Sequence, residues 1–289
     1  MSVKFTRHIG TCAYRRLIAL KCHIKRPSAI KCNPISMSTR QLATENADSG
    51  FFAMMQNARA NLPDSEKQSA ILSHKEKVNG VDLHFETTGV GEEIILLLPG
   101  ALGSTRTDFE KQLTEFNKSD YTLVAMDPRG YGRSIPPERT WPLEFLQRDA
   151  DDAIQLCKTL GLRRISLLGW SDGGNTGMIL AGKEPSLVSK LVVWGANAYV
   201  TQQDVDAFQK IRDISSWSDR MREPFMKLYG KDYFQKHWSL WVDAYIAYFT
   251  DRRDLFLFSR LLVMPEGKHN LHIRYSKEFN TIVEGFLKK

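Results

Sequence analysis

Two hydrophobic periods alternate along the chain from residue 78 onward. KVNGVDLHFETTG switches apolar and polar side chains about an Asn-Gly pair, the pattern of a hairpin of half-exposed strands. EIILLLPG follows, an unbroken apolar run closed by Pro-Gly, which fits a strand buried on both faces. A helical stretch over residues 107–117 leads to a second such run, YTLVAMDPRG. Over residues 143–160, Phe145, Ala150, Ala153, Ile154, Leu156, Cys157 and Leu160 recur at helical spacing. RRISLLGW reads as strand, SDGGNTGMILAGKEP as a small-residue helix stopped by Pro185, and VSKLVVWGAN as strand again. Strands alternating with helices predict a parallel, doubly wound α/β sheet. Residues 199–262 break that rhythm. They are aromatic-rich and helical in pattern, with no buried strand, and predict a cap inserted into a core formed by residues 78–198 and 263–289. Residues 45–77 are polar and mixed, with one apolar patch at 51–55, and predict a partly helical connector.

Charge divides the chain unevenly. The net charge is +7, yet residues 1–44 hold nine of the 40 Lys and Arg and none of the 33 Asp and Glu. The rest of the chain is therefore slightly acidic, which argues against a nucleic-acid surface. No apolar run approaches the roughly 18 residues of a membrane span, so no membrane partner is expected. The basic, acid-free leader is dotted with Ser and Thr, and its longest apolar run is LIAL. That is the composition of a mitochondrial transit peptide and predicts a mitochondrial protein. Cys12, Cys22 and Cys32 lie in the leader, leaving Cys157 alone in the body, so neither a disulfide framework nor a metal site is expected.

Gly169-Trp170-Ser171-Asp172-Gly173 fits G-x-S-x-G between a buried strand and a small-residue helix. Small flanking residues let strand and helix approach closely, which puts the serine on a sharp turn. The helix then presents free backbone N–H groups to a developing oxyanion. The plain alternative is a glycine-rich turn with a surface serine. A nucleophilic Ser171 needs a base that accepts a proton near neutral pH. Of His74, His84, His237, His269 and His272, only His269 sits in a glycine-containing loop, MPEGKHNLH, downstream of the serine and before the last helix. His272 reads as a residue on that helix. LLLPGALGS ends the first buried strand with a turn able to aim a second N–H at the oxyanion, from Leu102 or Ala101 beside it. Asp127 and Arg129 in DPRGYGRS read as structural.

Taken together, LLLPGALGS, AMDPRGYGRS, LLGWSDGGNTG, VVWGANAYV and MPEGKHNLH resemble the α/β-hydrolase superfamily, and within it the valacyclovir-hydrolase (biphenyl hydrolase-like) family. The likeness runs from residue 78 to the C-terminus. It implies an α/β-hydrolase fold, a mostly parallel sheet with flanking helices and a helical cap. It further implies a monomeric serine hydrolase that cleaves α-amino acid esters and related activated esters through an acyl-enzyme, without a cofactor. By the same resemblance Asp172 has two roles: its backbone N–H joins Leu102 in the oxyanion hole, and its carboxylate attracts the substrate's free α-ammonium. The simpler role for Asp172 is to favour the N-terminal end of its helix.

One part of the resemblance is missing. The family places a strand, the catalytic acid, a helix and most of the last strand between cap and histidine loop, and here VMPEGKHN follows FSRLL directly. The triad acid stays unassigned, Asp251 being the nearest substitute, and the sheet is expected to be truncated near the C-terminus. The acid holds the histidine tautomer and stabilises the imidazolium, so its loss lowers turnover by roughly 10⁴ in the serine-protease template. A second reading follows, a catalytically impaired hydrolase-fold protein that binds ligand or partner. An epoxide hydrolase or dehalogenase is disfavoured, because a serine stands where those enzymes carry a carboxylate.

Overall fold

The computed structural model describes residues 16–21, 49–197, 199–251, 260–263 and 271–288. A hairpin opens the core: β2 (Leu72–Val78) and β3 (Val81–Thr88) pair antiparallel about Asn79 and Gly80. Both turn residues have positive φ, 47° and 83°, the requirement of a tight hairpin turn that Asn-Gly meets at little cost. β4 (Glu93–Leu98), β5 (Tyr121–Met126), β6 (Ile165–Trp170) and β7 (Val188–Trp194) are mutually parallel. The sheet order is β2-β3-β5-β4-β6-β7-β1-β8, where β1 is Arg16–Lys21 and β8 is Arg260–Val263.

Strand alternation builds a core on each face. Leu96, Leu98, Val124, Leu167 and Val193 point to one side. They pack against α4 (Phe145–Thr159), α5 (Asp172–Lys183) and α1 (Ser49–Arg59). Ile95, Leu97, Leu123, Leu168 and Val192 point to the other, against α3 (Thr105–Glu115) and α10 (Ser276–Leu287). Burial on both faces explains why β4 and β5 read as unbroken apolar runs. The cap comprises α6 (Gln202–Lys210), a 3₁₀ turn at Ile214–Ser216, α7 (Asp219–Tyr229) and α8 (Lys231–Thr250). Its aromatic cluster of Phe208, Phe234, Trp238, Trp241 and Tyr245 closes over Leu102, Tyr131 and Phe145 of the core.

The structure departs from the sequence reading at three places. The connector is part of the core: Phe51 and Met55 of α1 are buried in it, α2 (Asp64–Lys67) follows, and β2 starts at Leu72. The predicted hairpin about Asn79-Gly80 is present, but most of β2 lies before it, because LSHKEKV is an edge strand whose polar residues alternate between half-buried and exposed. Within the basic leader, β1 pairs antiparallel with β7, from Leu17 opposite Trp194 to Lys21 opposite Lys190. The last residues assigned to the cap include β8, which pairs antiparallel with β1. β1 thus lies between β7 and β8.

Candidate active site

The carboxyl ends of β4, β5, β6 and β7 open on one edge of the sheet, where parallel α/β folds carry their sites. Ser171 stands there between β6 and α5 with φ 53° and ψ −121°. Positive φ at a residue with a side chain is strained, costing of order 1–3 kcal/mol, and persists only where its surroundings over-determine it. Here they do. The Ser171 N–H donates to the Trp194 carbonyl at 2.9 Å, and its carbonyl accepts from Gly174 and Asn175 at 2.9 and 3.1 Å. A Cβ on Gly173 would drive into the Leu98 and Pro99 carbonyls, and one on Gly169 into the Gly173 backbone. The glycines of the motif are close-approach residues between strand and helix.

The turn after β4 faces this elbow. A Cβ on Gly100 would lie 3.0 Å from the Trp170 ring and 3.2 Å from the Ser171 Cβ. Leu102, two residues on, is buried with φ 55°. The elbow and the Leu102 turn, expected to supply the two oxyanion donors, therefore abut. Asp108 of α3 secures the turn from below: Gly100 N donates to its Oδ2 at 2.9 Å and the Thr107 hydroxyl to its Oδ1 at 2.7 Å. Burial pushes the Asp108 carboxyl up to about 7. α3 itself begins in a capping box of Ser104 and Thr107.

Asp172 opens α5 with its carboxylate buried under the cap. Trp241 Nε1 donates to Oδ2 at 2.7 Å and the Tyr245 hydroxyl to Oδ1 at 2.6 Å, both from α8. Asn175 Nδ2 donates to the same hydroxyl at 2.9 Å. Burial raises the Asp172 carboxyl to about 6 against the opposing pull of those hydrogen bonds and of Arg139. Arg139 is itself buried in a bidentate pair with Asp149 at 2.7 and 2.6 Å, with its guanidinium over the Tyr131 ring at 4.5 Å. Asp172 and Asp149 both feel the Arg139 guanidinium, and Arg129 and Arg148 add positive charge on the Asp149 side, away from the hydrogen bonds of Asp172 to the cap. A carboxylate accepts about four hydrogen bonds, so Asp172 keeps capacity for a cation after its two protein donors.

His269, the expected base, lies outside the described residues, as do Asp254 and Glu266. The described histidines are committed elsewhere. His74 bonds the Thr87 hydroxyl at 2.9 Å and His237 bonds Glu138 at 2.9 Å. His84 sits between Ser73 Oγ at 2.9 Å and Asp127 Oδ2 at 2.8 Å, a serine–histidine–aspartate line by distance alone. Ser73 is an exposed residue near the start of the edge strand β2. Asp127 also accepts from Thr105 N at 2.7 Å and Arg133 N at 2.8 Å, so this line braces two loops. His272, in α9 (Leu271–Arg274), is buried beside Trp170, Trp194, Phe109 and Phe279. Trp194 Nε1 donates to its Nδ1 at 3.0 Å. An indole only donates, so Nδ1 is the acceptor and a neutral ring carries its proton on Nε2. That is the opposite tautomer from the one a serine's base needs, whose Nε2 must be free to accept.

Four of the described acids between β7 and the histidine loop serve local roles. Asp204 completes a capping box with Thr201, Asp213 caps the 3₁₀ turn, Asp219 pairs with Arg222 and Asp243 with Arg212. Asp251 is exposed at the C-terminal end of α8. Among the described residues no group of three His, Cys, Asp or Glu side chains could hold a metal ion.

A family model described as the alpha/beta hydrolase fold matches residues 93–279, spanning β4, the elbow and the cap and ending in the first turn of α10. The chain belongs to the α/β-hydrolase family. Within it, the chain is 47% identical over 255 residues to "Serine hydrolase BPHL" of Mus musculus and 46% identical to that of Homo sapiens. Each match covers 76% of this chain and 87% of the relative. Since 76% of 289 residues is about 220, about 35 of the 255 aligned positions have no counterpart in this chain. The family fold extends to solved structures. MGS-M2, an alpha/beta hydrolase enzyme from a Medee basin deep-sea metagenome library, superposes with a TM-score of 0.58 at 14% identity, covering 75% of this chain and 98% of that one. Sequence reasoning missed Asp108, Arg139, Trp241 and Tyr245. The spacing of Trp241 and Tyr245, i to i+4 on a helix, was the available signal that one face of α8 converges on a single point.

Proposed function

We propose that the chain is a serine hydrolase acting on small esters of α-amino acids, and on related activated esters, through an acyl-enzyme. Ser171 Oγ attacks the ester carbonyl while His269 takes its proton. The amides of Leu102 and Asp172 stabilise the oxyanion, the alcohol leaves with the proton from His269, and water hydrolyses the acyl-enzyme. The Asp172 carboxylate receives the substrate's α-ammonium, assisted by the Trp241 and Tyr245 rings around it. The observation that carries this reading is the strained Ser171 elbow immediately followed by the buried Asp172 carboxylate, held under the cap by Trp241 and Tyr245. The basic leader supports delivery to mitochondria, and because β1 lies within it, its removal would also uncover the outer edge of β7. Import of the full chain into isolated mitochondria with removal of the leader tests that part, and retention outside argues against it.

The missing block favours a second reading, a hydrolase fold with impaired turnover. A fluorophosphonate probe applied to the full chain separates the two. Labelling that disappears in Ser171→Ala supports the hydrolase, and absence of labelling in a folded sample supports the impaired form.

A further inference from the structure

The oxyanion turn is fastened from above as well as from below. Tyr229, the last residue of α7, buries its hydroxyl between two backbone groups of the core. It donates to the Leu102 carbonyl at 2.9 Å and accepts from Gly132 N at 2.8 Å. A single cap side chain thus bridges the turn after β4 and the DPRGYGRS turn after β5. Leu102 has φ 55°, a conformation that a leucine leaves readily unless something opposes it. Its carbonyl is held by Tyr229, and the Gly100 amide at the other end of the turn by Asp108. With both ends fixed, the direction of the Leu102 N–H between them is fixed too.

We propose that Tyr229 is a positioning residue for the oxyanion turn, and that docking of α7 holds the Leu102 amide in its working direction. The inference rests on the serine-hydrolase reading above and extends it to the cap. α7 is suited to such coupling. It has no fully buried residue, and the partly buried Phe225, Met226 and Tyr229 fasten it to the cap core. Elements with little burial open first in native-state fluctuations. When α7 lifts, the hydroxyl leaves with it, and the strained turn relaxes. The oxyanion donors are assembled in the cap-closed state and dispersed in the open one.

The test compares full-length wild type with Tyr229→Phe, which removes only the hydroxyl. Hydrogen exchange is expected to accelerate about tenfold or more in residues 99–104 and 129–134, with residues 165–170 of the central sheet unchanged. The rate of fluorophosphonate labelling at Ser171 is expected to fall about tenfold, less than the roughly 10²–10³ cost of losing an oxyanion donor outright. In ester hydrolysis kcat should fall with KM nearly constant, a split that general destabilisation does not produce. Phe225→Ala loosens α7 while keeping the hydroxyl, and should shift exchange at 99–104 in the same direction. Unchanged exchange at 99–104 in both variants overturns the proposal, as does unchanged labelling in Tyr229→Phe alongside a reactive wild type. A wild type that does not label defeats the serine-hydrolase reading instead, and exchange then decides the tether alone.

Discussion

The elbow and the flank beyond β7 are built on opposite principles. Ser171, Leu102, Asp172 and their glycines come from two short contiguous segments at the ends of neighbouring parallel strands, β4 and β6. Their geometry follows from local sequence: a buried strand, a turn only small residues permit, and a capped helix. The acid–base half depends on what lies beyond β7, on strand order and chain crossing. About 35 of the 255 positions aligned with the relatives have no counterpart in this chain, given that 76% of its 289 residues are matched. A local motif can survive intact beside a non-local loss.

The largest effects should come from setting the two halves against each other. Ser171→Ala is expected to abolish both labelling and hydrolysis. His269→Ala should lower labelling by about 10³-fold or more, on the scale of removing a general base. His272→Ala, three residues away, should leave the labelling rate of folded protein within about threefold. Its cost should appear in denaturant unfolding as about 2–4 kcal/mol, from the emptied aromatic cage and the stranded Trp194 donor. Equal kinetic losses at the two histidines would mean that the His272 tautomer does not keep it from acting as a base.

Asp172→Ala should lower kcat/KM for free α-amine esters about 100-fold and for N-acylated esters less than about fivefold, as loss of a buried charge partner predicts. Parallel losses on both substrates would reduce Asp172 to a helix-end residue. Gly173→Ala, whose Cβ meets the Leu98 carbonyl, should destabilise the fold by about 1–3 kcal/mol and shift the elbow, read by thermal unfolding.

The smallest effects are in pH. Preference for free-amine over N-acylated esters should rise as pH increases through about 6, where Asp172 ionises. Asp108 acts on stability in the other direction. Its folded carboxyl titrates near 7, above its unfolded value of 3.8, so the native state binds the proton more tightly. That contribution is fully present below about pH 4 and is lost as pH rises through 7. Urea midpoints across this window should carry a downward component with rising pH that Asp108→Asn removes.

Much of this molecule was legible in its sequence, for identifiable reasons. β4, β5 and β6 announce themselves because burial on both faces demands unbroken apolar runs. Ser171 is legible because only small neighbours permit its turn. The hairpin about Asn79-Gly80 was legible, but most of β2 was hidden because an edge strand with an exposed face reads as polar linker, and the burial of α1 in the core was hidden because Phe51 and Met55 are too few to mark a helix face. Trp241, Tyr245 and Tyr229 were visible only as cap aromatics. Which of them reaches a core carboxylate or carbonyl is decided by how the cap docks, and no local pattern records it.

The pairing of β1 with β7 has a directional consequence. A parallel strand in that position would end at the same edge as β4, β6 and β7, and the loop leaving it would enter the reaction site. β1 runs the other way: Leu17 lies beside Trp194 at the site edge, while Lys21 lies opposite Lys190 farther back along β7. It satisfies the outer edge of β7, yet its own last residue, Lys21, lies at the opposite rim. Hydrogen-bond complementarity and loop delivery are separable services of a strand, and this one supplies the first without the second.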